Sequence, residues 1–170
     1  MNLSQLFLPT SIQMLEAFAG MLTKAASHGE SDAAMMALRL VPDMHALTSQ
    51  IAFTCIQPQQ ALARLTGGAQ PDMPSVASFA EAQALIAATI GQLKAADPTV
   101  IDAAANQTIT MNLPNGMTFV LDGDEYVRDW TLPQFYFHLT TAYALLRHAG
   151  VALGKADLVP HMARYAPRAS

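Results

Sequence analysis

The chain has 170 residues, 52% of them apolar and only 13% charged, with a net charge of −4. That length suffices for one domain with a sizeable core, and the shortage of charge suggests that part of an apolar surface is covered by a second copy. Nine scattered Lys and Arg leave no footprint for nucleic acid or an anionic membrane, and the single cysteine excludes an internal disulfide or a cysteine-based zinc site.

The first thirteen residues lack a basic leader followed by a long apolar run, and no segment approaches the ~18 apolar residues of a membrane span. The expectation is a cytoplasmic protein. Thr10 to Ser27 reads as the first long helix: Thr10 and Gln13 suit a capping box, and Ile12, Leu15, Phe18, Ala19, Leu22 and Ala26 recur at helical spacing. Residues 4–8 extend it if Pro9 is tolerated. His28-Gly29 closes it.

Asp32–Leu40 carries a short helical pattern. Pro42 then sits where a first turn accepts proline, so a second long helix is predicted over Asp43–Leu65, ending at Gly67-Gly68. Met44, Leu47, Ile51, Cys55, Leu62 and Leu65 form its apolar stripe, and Pro58 should kink it. Cys55 on that stripe is a small core residue rather than a nucleophile. On helical angles, Asp43, Gln50 and Thr54 border the stripe and face an interhelical cleft, whereas His45 projects from nearly the opposite side into solvent.

Gly67–Pro74 is a linker by composition. Ser78 and Glu81 form a capping box for a third helix, which ends before Asp97-Pro98. The period then changes to two. Ile109, Met111 and Leu113, then Met117, Phe119 and Leu121, flank Pro114-Asn115-Gly116. A three-residue loop with glycine in the left-handed position would pair Leu113 with Met117, Met111 with Phe119 and Ile109 with Leu121, setting all six on one face. Two strands alone are marginal in water, so that face must pack on helices or a partner. Gly123–Trp130 should form a short helix.

Thr131–Gly150 is the best-delimited helix. Thr131 and Gln134 suit a capping box with Pro133 in the first turn, and Gly150 suits a left-handed C-cap. Phe135, Leu139, Ala142, Leu145, Leu146 and Ala149 share one face, with His138 just inside its edge. An imidazole there needs a partner, because a buried polar group without one costs about 1–3 kcal/mol. The bland reading is a core histidine satisfied by a neighbouring helix; the sharper one is a ligand or acid–base group. Pro160, Arg164, Pro167 and Arg168 mark a surface extension over residues 159–170.

Four long helices with a hairpin before the last predict a mainly all-α, up-and-down bundle with crossover connections. The segments ALRLVPDMHALTSQI and LPQFYFHLTTAYALLRHAGVALGKAD, with the PDM of Pro42-Asp43-Met44, resemble the bacterial DUF1993 family, which groups with the DinB and YfiT type of four-helix bundle. The resemblance spans Met1 to about Leu158 and implies one bundle domain over residues 1–158, with a hairpin at about 108–121. Members of the wider DinB group often hold a divalent metal on three histidines, and some are thiol-dependent transferases or hydrolases. Here the position one turn after His138 is Ala142, His148 lies about 15 Å farther along a helix, and Asp43 would have to supply an oxygen ligand. There is no phosphate loop, dinucleotide fingerprint, serine elbow or Glu-x-x-His pair.

The expected function is therefore a homodimeric bundle with a cleft for a small, largely apolar molecule, lined by Asp43, Gln50, His138 and Tyr143. A divalent-metal hydrolase or thiol transferase, using His138 and Asp43 as ligands, is the first alternative. A non-catalytic structural or interaction protein is the second. No nucleic acid and no membrane is expected as partner.

Overall fold

The computed structural model of the chain describes residues 1–166; Pro167 and Arg168 lie outside the described residues. Four long helices form the bundle: α1 (Leu3–Ala26), α3 (Leu47–Thr66), α4 (Phe79–Ala95) and α7 (Leu132–His148), with a short α2 (Asp32–Met36) between the first two. α3 lies against α7 and α4, and α1 against α4 and, more lightly, α7. Phe7, Leu15, Phe18, Met21, Leu22, Leu47, Ile51, Ile56, Leu65 and Phe135 fill the middle. Among the described residues no helix is long and apolar enough to cross a membrane.

The helix ends explain the boundaries. α1 starts seven residues before Thr10, and Pro9 lies inside it. The expected Thr10 cap is not used, because the first turn is tied elsewhere: Gln5 accepts from the Asn2 N–H at 3.2 Å, and Asp102 accepts from the Ser4 N–H at 2.8 Å. That last bond, from 98 residues away, holds the Asp102 carboxyl below its ordinary range. α4 keeps its box in altered form. Ser78 accepts from the Glu81 N–H, while Glu81 reaches past Ser78 to the Ala77 N–H.

α3 begins at Leu47, four residues later than expected. Pro42 does not open it. Residues 37–46 are a turn in which the Leu47 N–H donates to Leu38 O at 2.8 Å, Met44 N–H to Val41 O, and the Arg39 guanidinium to Met44 O. Those bonds consume the groups that a helix through Asp43 would have used. α3 runs unbroken through a buried Pro58 and ends at Gly67, whose φ of 70° is open to glycine.

After α4, Pro98 does not merely stop a helix but starts a short one, α5 (Pro98–Ala103), capped by Asp97 and followed by a tight 3-10 turn, Ala104–Asn106. The hairpin then pairs as the sequence predicts. β1 (Thr108–Asn112) and β2 (Thr118–Asp122) are antiparallel with Ile109 opposite Leu121 and Met111 opposite Phe119; Leu113 N–H donates to Met117 O, and Gly116 has φ 84°. Only the base of its apolar face is covered. Ile109 and Met111 are buried, but Met117 and Phe119 remain exposed, with Phe119 5.9 Å from the Trp130 ring.

The expected helix at Gly123–Trp130 and the expected cap at Thr131 merge into one continuous path. α6 (Gly123–Glu125) opens with Glu125 accepting from the Asp122 N–H, and a π-helical segment, Tyr126–Thr131, leads directly into α7. Thr131 is helical and buried, not a cap. At the far end Gly150 takes φ 93°, and Val151 N–H donates to Leu146 O. His28 binds Ala149 O at 3.0 Å, so it fastens the end of α7 to the end of α1. A short α8 (Lys155–Leu158) and a 3-10 turn (Pro160–Tyr165) finish the described chain, with Arg164 donating to Gln13 across the surface.

Gly123 is pinned. A Cβ there would stand 2.1 Å from the Ala104 carbonyl oxygen and 3.2 Å from Leu65 Cδ2. Backbone cannot yield as a side-chain tip does, so Gly123→Ala should destabilise by about 1–3 kcal/mol, read as a lower urea midpoint at unchanged slope.

Candidate functional site

Where α3 and α7 lie together, Gln50 and His138 are both buried and bond at 2.8 Å between Oε1 and the imidazole Nδ1. The Gln50 amide is oriented by its other end, because Nε2 donates to His45 O at 3.1 Å. With the amide so fixed, Oε1 can only accept, and Nδ1 must carry the proton. The remaining nitrogen, Nε2, keeps a lone pair, has no protein partner among the described residues, and is not among the fully buried unpartnered polar atoms.

Two rings contact this imidazole, and a third packs on one of them. Phe53, three positions after Gln50, stacks on it at 4.6 Å and 30°; Phe137 meets it edge-on at 5.2 Å; His45 meets the other side of the contact through Phe53 at 5.1 Å. Burial, with the charge of nearby His45 second, pushes His138 down to about 4. At neutral pH the ring is therefore neutral, a hydrogen-bond acceptor through Nε2 and not a cation.

Two shallow depressions lie beside the flanking rings, one reaching Phe53 and the other Phe137, and neither is lined by His138 itself. One of about 270 Å³ is lined by Thr48, Ala52, Phe53, Met73, Pro74 and Val76. The other, of about 410 Å³, is lined by Pro133, Gln134 and Phe137. A further depression of about 300 Å³ sits at the chain start beside Leu6, Asp124 and Arg128, away from any of these rings.

The structure brings together two of the four residues expected at the cleft. Asp43 is exposed in the turn ahead of α3 and makes no hydrogen bond or ion pair among the described residues. The expected angle assumed a helix through Asp43, and the turn at 37–46 removes it. Tyr143 is half-buried against the core, five positions beyond His138 and so about 140° round the helix. Thr54 is buried but turns back to its own helix, donating to Gln50 O at 2.7 Å. His45 is exposed, as its angle suggested, yet it stands beside the imidazole it was expected to avoid. Phe53 went unremarked in the sequence, although its spacing from Gln50 places it on the same border. Cys55 is core: burial pushes its thiol up to about 12, which leaves no thiolate for nucleophilic work.

The DUF1993 domain-of-unknown-function model matches residues 3–159. The chain belongs to this family. A crystal structure of a DinB family member from Shewanella denitrificans superposes on the DUF1993 chain with a TM-score of 0.81 at 30% identity, covering 92% of this chain and 91% of that one. Its fold is thus the mainly α, DinB-like bundle with a small two-stranded sheet. No curated protein matches the sequence.

A resident divalent metal does not fit the residues present. Among the described residues there is no group of three or more His, Cys, Asp or Glu placed to hold an ion; His138 has only His45 nearby, and the carboxylate of Asp43 is elsewhere.

The protonation state carries a pH prediction. A histidine whose folded value is depressed binds its proton more readily unfolded, so its contribution to stability is present above the unfolded value near 6.5 and lost as pH falls toward about 4. Histidine ring NMR should show His138 still neutral at pH 6, with Nδ1 protonated. Gln50→Leu removes the acceptor and should cost about 1–3 kcal/mol; a fully cationic His138 at pH 6 would contradict the geometry.

Proposed function

We propose that this DUF1993 protein binds a small, largely apolar molecule at the His138 ring cluster, and that it does so as a homodimer. The observation that carries the reading is the lone pair on Nε2 of a neutral histidine, held in one tautomer by Gln50 and flanked by Phe53 and Phe137, with His45 packed on Phe53. A site of that kind accepts one hydrogen bond and otherwise offers aromatic faces. It suits a flat or aromatic body bearing a single hydroxyl, thiol or N–H donor. A carboxylate would meet a lone pair instead of a donor there and is disfavoured. Met73, which shares the neighbouring depression with Phe53, adds an adaptable apolar surface beside that ring.

The same Nε2 favours an acid–base role as the second reading. A ring pushed down to about 4 is a weak base at neutral pH, and efficient proton transfer wants a value near the working pH. Binding is therefore preferred to catalysis. The homodimer rests on the low charge of the chain and on the exposed apolar side chains Met117, Phe119, Val120, Tyr136 and Phe137.

A panel of phenols, thiols and indoles, with matched carboxylates as controls, should raise the melting temperature of the wild-type protein in a concentration-dependent way. His138→Ala should abolish that shift, and Asp43→Ala should leave it intact. Equal shifts in wild type and His138→Ala would overturn the site. Light scattering at micromolar concentration should give twice the chain mass; a monomer there removes the dimer from the proposal.

A further inference from the structure

Below the His138 cluster the α3–α7 contact continues as a second polar zone that the proposed ligand site does not use. On α3, Gln50, Thr54, Gln57, Ala61 and Arg64 follow at alternating spacings of four and three, a stripe that keeps one face toward a neighbouring helix. On the opposing path the π-helical segment does similar work. Its wider turn brings residues five apart toward one side, so Tyr126 and Thr131 share a face that an ordinary helix would split. Thr131 and His138, seven apart on α7, then stay in line.

Two contacts set the antiparallel register. Gln50 meets His138 at one end, and the Arg64 guanidinium lies 5.6 Å over the Tyr126 ring at the other. Gln57 is midway between Gln50 and Arg64, and Thr131 is close to midway between Tyr126 and His138. By that register Gln57 and Thr131 fall at the same level of the packing between α3 and the π-helical segment.

This zone is where the buried polar atoms have no partners. Of six such side-chain atoms among the described residues, four are Gln57 Oε1, Arg64 Nε, Tyr126 Oη and Thr131 Oγ1. Tyr126 and Thr131 are fully buried and Gln57 nearly so. The Tyr126 hydroxyl senses both neighbours: burial pushes its value up, opposed by the charge of Arg64 and by a side-chain hydrogen-bonding interaction with Thr131, whose hydroxyl is close by but not at full hydrogen-bond geometry. Their capacities are complementary. Arg64 Nε donates, Gln57 Oε1 accepts, and each hydroxyl can do both. Natural proteins rarely leave such atoms dry, since each costs about 1–3 kcal/mol unpaired.

We propose that the seam between α3 and the π-helical segment is a buried hydration site, in which ordered water bridges Gln57, Arg64, Tyr126 and Thr131. Water is the ligand class that fits, because it is small, neutral, and satisfies two to four partners that mix donors with acceptors. A cationic ligand would be repelled by Arg64, and an anion would meet the acceptor Gln57 Oε1 and a guanidinium already engaged by Gln70. The widened turn is then held open by what it encloses. Arg64, tethered outside by its bond to Gln70, closes the outer end.

A crystal structure of the full chain that resolves ordered solvent tests this directly. Water bonded to at least two of the four atoms is the expected result; the four atoms bonded only to one another, or a seam closed without water, would overturn it. Melting gives an independent reading in solution. Tyr126→Phe and Thr131→Val each remove one partner of a satisfied network and should lower Tm by about 2–4 °C. Variants melting at or above the wild-type temperature would show that the hydroxyls were never satisfied, and the hydration site would fall.

Discussion

The pairing of α3 with α7 governs this molecule, because it carries a row of polar side chains into the middle of an apolar bundle. Most of the interior is Phe, Leu, Ile and Met, which pack without directional demands. Gln50, Gln57, Thr131 and His138 do not. Gln50 and His138 match donor to acceptor across the two helices, and a slip of either helix would break that match, whereas Gln57 and Thr131 make no such bond between the helices among the described residues. The pairing is therefore specified by chemistry as well as by volume. Gln50 shows how: one amide serves the backbone of His45 with its nitrogen and the ring of His138 with its oxygen. Neither bond can be reversed without stranding the other.

That single orientation propagates into electrostatics. An imidazole that donates through Nδ1 to a neutral amide gains nothing from becoming a cation, since no carboxylate waits to share the charge. Burial and the neighbouring His45 push the same way. The polar row thus produces a neutral acceptor at its upper end. A carboxylate in place of Gln50 would have raised the ring toward neutrality and made it a base. The amide thus leaves the ring a neutral acceptor where a carboxylate would have made it a base.

How much of this was legible in the sequence depended on whether the signal was local. The hairpin register followed from alternation and a glycine turn, both contained within 14 residues, and residue-by-residue pairing agrees. α7 was equally legible from Phe135 to Gly150, because its face and C-cap are internal to the helix. Burial of His138 followed from its angle, though its partner Gln50 lies 88 residues away. Failures came where distant groups decided. Asp102 replaced Thr10 at the start of α1, and the Leu38–Leu47 bond delayed α3 and carried Asp43 off the bundle. Tyr143 is half-buried about 140° round the helix from His138, so the two do not share one face. The π-helical segment gave no signal of its own. Its turn residues are ordinary helix and strand formers, and only the groups on both sides require the extra residue.

That extra residue accounts for a feature that packing alone does not. An unbroken α-helix from Gly123 to His148 would rotate Tyr126 away from the side that carries Thr131 and His138, and Arg64 would then face no ring. Moving the start of the helix instead is prevented from both directions. Gly123 is wedged against the Ala104 carbonyl, and β2 joins it without a linker, so the hairpin fixes where the path begins. His138 is fixed by Gln50 at the other end. With both ends held, the mismatch in rotation has to be absorbed between them, and the widened turn over Tyr126–Thr131 absorbs it. The hairpin, peripheral to the bundle, thereby determines which side chains of the last helix its partner sees.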